Sequence, residues 1–340
     1  IFLACPYLVK AAIGEDIDAE TLGGAITATE ISGICDYAAE NDEDCLSQIR
    51  KTMDKIGAKP KAGFDRVAAK PPVLKEEEIY GIMPEEITKQ YDVLDIIKRL
   101  VDDSAFDEYK PAYGKTIVCG LGRIDGWSVG IVANQRKVVK NKKGELQIGG
   151  VIYNDSADKA ARFIMNCNQK KIPLLFLQDV TGFMVGSKSE HAGIIKDGAK
   201  LVNAVANSVV PKFTVIIGNS FGAGNYAMCG KAYDPRLIVA WPNAKIAVMG
   251  GAQAGKVLLQ IQVASLKAKG EVITAEKEKE LLDHILNHYN ETMDPYYAAA
   301  RLWVDGIIDP LDTRKWVSMG IEMANNNDEM KAFNPGVIQV

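Results

Sequence analysis

The sequence predicts an α/β fold, a mainly parallel sheet flanked by helices. Three observations lead there. From Ala157 to Met249 short continuous apolar runs alternate with segments of helical spacing, the pattern of βαβ units whose strands are buried on both faces. Ahead of them two β-rich runs meet at Asp125-Gly126, the strongest short hairpin signal, which adds an antiparallel pair. The chain has 340 residues, 47% of them hydrophobic and 25% charged, enough for two cores of ordinary size and incompatible with disorder.

Taken in order, the chain opens on Ile1 inside an apolar run, IFLACPYLVKAAIG, so an upstream segment is expected. Helical spacing follows at Cys45, Ile49, Met53 and Ile56 and reads as the end of a domain. The next stretch, GAKPKAGFDRVAAKPPVL, carries three prolines and no sustained periodicity, as a connector would. The predicted organisation is therefore a first domain's tail at 1–56, a linker at 57–75 and a second domain at 76–340. That second domain begins with a helix over Val93 to Leu100 and the hairpin of KTIVCGLGRI with WSVGIVANQ. Arg136 to Lys143 reads as a solvated hairpin tip. Helices are then predicted from Ala157 to Gln169, from Ala192 to Asn207 and from Ala223 onward. Strands are predicted from Pro173 to Val180, Lys212 to Gly218, Leu237 to Ala240 and Ile246 to Met249. The remainder reads as mostly helical, with Thr274 as an N-cap.

Composition removes several classes of function. Forty basic against forty-four acidic side chains give a net charge of −4, which offers no broad cationic surface and argues against nucleic acid as a partner. The apolar runs, such as Phe213 to Ile217, fall far short of the roughly twenty residues of a bilayer-spanning helix. Six cysteines show no CxxC and read as reduced, mostly packed thiols of a cytosolic protein, and no metal site is expected. With only His191, His284 and His288, a His-centred triad has few places to form.

Chemistry concentrates at three glycine-rich strand-to-helix junctions. The run PLLFLQDVTGFMVG leaves a strand and enters a loop with Gly182 and Gly186; FTVIIGNSFGAGNYAM passes through Gly222, Ala223 and Gly224 into a helix whose first amides lack internal partners. Two such loops side by side can form an oxyanion hole, whereas either alone reads more readily as tight helix-on-sheet packing. A dinucleotide fingerprint fails because position 227 is Ala and no acidic residue follows at the required distance. The third junction, Gly250 to Lys256, matches GxxxxGK but continues with Val257 where a P-loop needs a hydroxyl, which leaves ATP binding remote. His191, Asp179 and Glu190 are further acid/base candidates, and His284 with His288 lie four apart without a third metal ligand.

Several motifs, in order, closely resemble the carboxyltransferase subunits of biotin-dependent acyl-CoA carboxylases and decarboxylases. They include YDVLDIIKRLVDD, SADKAARFI, FLQDVTGFMVG, DGAKLVNAVANSVVPKFTVIIGNSFGAGNYAM, AWPNAKIAVMGG and PYYAAARLWVDGIIDPLDTR. The resemblance implies tandem crotonase-like domains, with the acyl-CoA thioester held on the N-terminal one and biotin on the C-terminal one across a dimer interface. It implies that the backbone of Gly222, Ala223 and Gly224, with Gly182 and Phe183 opposite and Asn225 adjoining, holds the biotin ureido oxygen, and that the thioester-side donors lie upstream of Ile1. Biotin is then carried covalently on another subunit.

Within the family the wording looks like the methylcrotonyl-CoA carboxylase and glutaconyl-CoA decarboxylase branch. The histidine-free segment ITATEISGICDYAAEN and the ending MKAFNPGVIQV are read as favouring the decarboxylase. That reading implies loss of the terminal carboxylate of glutaconyl-CoA to biotin, leaving crotonyl-CoA. It further implies a separate membrane-embedded partner that releases the carboxyl group with Na⁺ export, and a cytoplasmic, peripherally membrane-associated location. The alternatives are a methylcrotonyl-CoA-type carboxylase beta subunit and an inactive crotonase-fold scaffold.

Overall fold

The computed structural model describes residues 1–57, 60–84, 89–270 and 273–338. The chain divides into two compact units, Ile1–Lys59 and Pro60–Val340. In the smaller unit, helix α1 (Pro6–Ile13) starts on a proline, which the first turn tolerates, and ends at Gly14 with φ 75°. Helix α2 (Ala19–Gly23) is capped by the Asp18 carboxylate, which accepts from the Glu20 and Thr21 amides. Helix α3 (Asp42–Ile56) carries the stripe that the spacing predicts, and its Leu46, Ile49, Met53 and Ile56 are exposed.

The stretch read as a linker is, from Pro60 onward, laid along the larger unit. Phe64 is buried, the Ala62 amide donates to the Asn325 carbonyl at 2.8 Å, and the Ser128 amide donates to the Asp65 carbonyl at 3.0 Å. Ala58 and Lys59 fall outside the described residues. Helix α4 (Ile79–Ile82) is a single turn. Helix α5 (Val93–Leu100), capped by Asp92, buries Val93, Ile96, Ile97 and Leu100, one stripe at helical period.

Strands β1 (Phe106–Tyr109), β2 (Ile117–Ile124) and β3 (Trp127–Asn134) form an antiparallel meander. The turn between β2 and β3 has Asp125 at φ 52° and Gly126 at φ 81°, the mirror-image turn whose twist suits a hairpin. The basic run makes the predicted hairpin of β4 (Val139–Lys140) and β5 (Leu146–Gln147).

The alternating region follows as β6 (Val151–Ile152), α6 (Asn154–Gln169), β7 (Leu174–Val180), β8 (Gly182–Phe183), α7 (Ser187–His191), α8 (Ile194–Ala206), β9 (Lys212–Phe221) and α9 (Gly222–Ala227). It closes with β10 (Leu237–Ala240), β11 (Lys245–Ala247), α10 (Gly251–Ala268), α11 (Ala275–Met293), α12 (Pro295–Ala299), β12 (Gly306–Ile307) and α13 (Thr313–Asn325). The main sheet runs β1-β2-β3-β7-β9-β10-β12, parallel from β3 on, with β11 against the far half of β9. That last pairing carries β9 past the predicted end at Gly218 to Phe221. Leu175 and Leu177 of β7 enter one core with α5 and α13, while Leu174, Phe176 and Val180 enter the other with α6 and α8. Both faces are covered, which explains apolar runs in place of alternation. Thr274 caps α11 by accepting from the Lys277 amide.

One buried carboxylate joins three distant segments. Asp102, 5% exposed, accepts from the amides of Lys70, Asp125 and Gly126 and from Arg314 Nη1 at 2.9 Å. Burial pushes its pKa up, but the Gly126 amide, Arg314 and the Lys70 amide outweigh burial and hold it below the usual carboxylate range. Replacing Asp102 with Ala takes from Arg314 its buried carboxylate partner, leaving it the Leu100 and Lys70 carbonyls and Glu76, and leaves the Lys70, Asp125 and Gly126 amides without theirs. The change should lower the unfolding free energy of the chain by about 3–5 kcal/mol in denaturant titration. Because the folded pKa is depressed, this contribution is present above the unfolded value of about 3.9 and lost as pH falls below it. The variant's stability should accordingly fall less steeply with acid than the parent's.

Candidate active site

Strands β7 and β9 are parallel neighbours, so the loops that follow them leave side by side at one end of the sheet. Their register passes from Gln178↔Ile216 to Val180↔Ser220, so that Asp179 alone opposes Ile217, Gly218 and Asn219. The extra length of β9 wraps the Asp179 carboxylate. A Cβ on Gly218 would stand 2.5 Å from Asp179 Cγ, so only glycine fits. The Asn219 amide donates to Oδ1 at 2.9 Å, the Tyr91 hydroxyl to Oδ2 at 2.8 Å, and Arg136 Nε lies 3.3 Å from Oδ2. Burial pushes the Asp179 carboxyl up, opposed by Arg136, the Asn219 amide and the Tyr91 hydroxyl. Burial, reinforced by Asp179, also keeps Tyr91 a neutral phenol. Asp179, an acid/base candidate from the sequence, is thus a structural group that shapes the bulge.

Beyond the bulge, Gly222 turns the chain with φ 52°, and a Cβ there would meet the Val248 carbonyl oxygen at 2.6 Å. Gly224 is buried against the other loop: its Cβ would lie 2.6 Å from Val180 Cγ2 and 3.2 Å from Gly182 Cα. The two glycine loops therefore touch, the side-by-side arrangement the sequence left open. Gly222, Ala223 and Asn225 line a cavity of about 670 Å³ whose wall includes Ile216, Tyr226, Ile246, Val248 and Trp303. Gly224 and Gly182 stand behind this wall, at the contact between the loops. Phe183 turns its ring onto α8, where a Cβ on Gly198 would be 2.8 Å from its Cε1, so only its backbone faces the junction. Past it, Met184 to Ser189 line a second cavity of about 810 Å³.

The remaining candidates separate from this cavity. Glu190 and His191 are exposed on the five-residue α7. His284 and His288 are exposed on α11, and no metal-holding group of three or more His, Cys, Asp or Glu occurs among the described residues. The glycines of the P-loop-like run serve packing: a Cβ on Gly255 would be 2.8 Å from Leu286 Cδ2, and one on Gly251 would be 3.2 Å from Met293 Cε, both on α11. Three of the six cysteines are packed as expected. Burial pushes Cys119 and Cys167 up to about 12 and Cys229 to about 11, so these remain thiols at neutral pH. Cys5 and Cys45 are exposed and Cys35 is half-buried, which corrects the expectation of mostly packed thiols. Sequence reasoning missed the aromatic wall of Tyr226, Tyr289, Tyr297 and Trp303, because it is assembled from separate segments that no local pattern links.

The chain matches the carboxyl transferase domain family over residues 1–336. It is 44% identical, over 96% of its length, to the probable mitochondrial methylcrotonoyl-CoA carboxylase beta chain of Drosophila melanogaster, of which it covers 57%. To the methylmalonyl-CoA decarboxylase subunit alpha of Propionigenium modestum it is 33% identical over 97% of its length, covering 60% of that protein. Among solved structures, it matches the beta subunit of P. aeruginosa geranyl-CoA carboxylase with a TM-score of 0.74 and 37% identity, over 99% of this chain and 60% of that one. The chain thus spans somewhat more than half the length of these relatives. The expected crotonase-like α/β architecture is borne out by these matches. On the family match and these identities, the chain belongs to the carboxyl transferase domain family.

Proposed function

We propose that the chain provides the biotin-facing part of an acyl-CoA carboxyltransferase of the methylcrotonyl-CoA carboxylase type. The observation that carries the site assignment is the Gly222-Ala223 turn at the wall of an apolar cavity, locked against a second glycine loop. In this reading 1–56 are the tail of an acyl-CoA-side domain and 76–340 the biotin-side domain. The full protein works as a homodimer or higher oligomer with a separate biotin carrier subunit.

The residues present fit biotin. Its ureido oxygen is an acceptor suited to the amides of Gly222 and Ala223, which open a helix and lack intrahelical partners. Its fused rings and aliphatic arm suit Ile216, Ile246, Val248 and Tyr226. Lys231, paired with Asp305 at 2.8 Å, is the one charged residue of that wall among the described residues. When bound, biotin supplies the nitrogen that takes up or returns the carboxyl group. The turn's own work is to hold the oxygen and stabilise charge developing on it, while the apolar wall excludes water. Gly224 and Gly182 keep the two loops in contact, and no side-chain nucleophile is required.

The substrate branch follows the relatives. Identity of 44% to a methylcrotonoyl-CoA carboxylase beta chain against 33% to a decarboxylase alpha subunit favours the carboxylase over the glutaconyl-CoA decarboxylase expected from the sequence wording. The sodium-exporting membrane partner belongs to that second reading alone.

Two experiments check this. With the full-length subunit and free biotin as acceptor, the carboxylated product of 3-methylcrotonyl-CoA should give its carboxyl group up at least about tenfold faster than glutaconyl-CoA, the discrimination one methyl group commonly supports. Equal or faster turnover of glutaconyl-CoA moves the protein to the decarboxylase reading. Second, Ala223→Pro removes one amide in a helical first turn and should lower biotin-dependent transfer by about 10²–10³-fold with the thermal midpoint retained, while Ala223→Gly, which keeps the amide, stays close to the parent. Undiminished transfer in a folded Ala223→Pro variant overturns the assignment.

A further inference from the structure

Beneath the Gly222-Ala223 turn runs a closed set of side-chain hydrogen bonds that the sequence gives no sign of. Asn225 Nδ2 donates to Ser220 Oγ at 2.6 Å, and Ser220 Oγ donates to Gln178 Oε1 at 2.6 Å. Gln178 Nε2 donates onward to the Met228 carbonyl at 2.8 Å and lies 3.4 Å from that of Asn225. Gln178 and Ser220 are wholly buried, and the Ser220 hydroxyl proton, Gln178 Oε1 and Gln178 Nε2 each have a partner. Ser220 is the next-to-last residue of β9 and Asn225 lies within the first turns of α9, so their bond spans the turn that contains Gly222, Ala223 and Gly224. Gln178 ties the same pair to the neighbouring strand β7. Glycine at 230 leaves room for the Asn225 side chain, since a Cβ there would stand 1.8 Å from Asn225 Oδ1 and force it to move.

We infer that Gln178, Ser220 and Asn225 are positioning residues for carboxyl transfer: they fix the angle at which α9 leaves β9, and with it the direction of the Gly222 and Ala223 amides. The inference rests on the assignment of that turn proposed above. An apolar replacement anywhere in the set frees the turn to rotate, and a displacement of about 1 Å in a donor is enough to cost up to about a hundredfold in rate.

The test uses the full-length subunit with free biotin and the carboxylated acyl-CoA. Ser220→Ala and, at a half-exposed position, Asn225→Ala should each lower kcat by about 10- to 100-fold. The KM for the acyl-CoA should stay within about twofold, because its binding does not involve the turn. Asn225→Gln, which keeps the donor, should recover part of the loss. Folding is followed separately by the thermal midpoint. Variants that lose thermal stability but keep the parent's kcat per folded subunit overturn the positioning role. Absence of biotin-dependent transfer in the parent protein overturns the functional reading itself, so the two failures are distinct.

Discussion

The buried Asp179 carboxylate, wrapped by the extra residues of β9, fixes where both glycine loops begin. Without the bulge, Ser220 would fall out of step with Val180, and the turn at Gly222 would not stand beside the loop at Gly182. A carboxylate so deeply placed is tolerated only because it is fully engaged, by the Asn219 amide, Tyr91 and Arg136. Gly218 is the matching constraint on the opposite strand, since any side chain would collide with that carboxylate. A bulge at the end of a strand is a common way to re-aim the residues that follow it, and here those residues form the cavity wall.

From that geometry the division of labour among the glycines follows. Gly224 is small because the other loop touches it, and Gly222 because its backbone turns in the left-handed region under the Val248 carbonyl. The packing and functional readings of a glycine-rich junction are therefore not rivals here. Close packing at Gly224 is what keeps Gly222 and Ala223 at the surface of the cavity. The P-loop-like run shows a different case, in which Gly251 and Gly255 admit α11.

Periodicity located the long buried strands and helices of the larger unit, because strands buried on both faces and a helix such as α5 announce themselves in local pattern, whereas the short β1, β6, β8, β12, α4 and α7 were not predicted. The hairpin at Asp125-Gly126 and the Thr274 cap were equally legible, each being a local backbone requirement met by one or two residues. What local pattern does not contain is anything created by strand pairing. The extension of β9 depends on β11, the bulge depends on a carboxylate one strand away, and the aromatic wall gathers Tyr226, Tyr289 and Trp303 from separate segments. The irregular course from Pro60 to Leu74 was legible as irregular but not as packed, since prolines forbid regular structure without forbidding burial of a neighbour such as Phe64.

A site made of backbone amides has a further consequence for the choice between carboxylase and decarboxylase. Donors that stabilise a developing charge act on one transition state, and the same transition state is crossed in both directions. On the proposed assignment the Gly222-Ala223 turn would serve carboxylation and decarboxylation equally, since backbone amides do not titrate. In that reading, direction comes from the reaction to which carboxyl transfer is coupled, and substrate choice from the walls around the acyl chain. Identity across the chain therefore bears on the branch, while the proposed glycine turn bears only on chemistry that both branches would share.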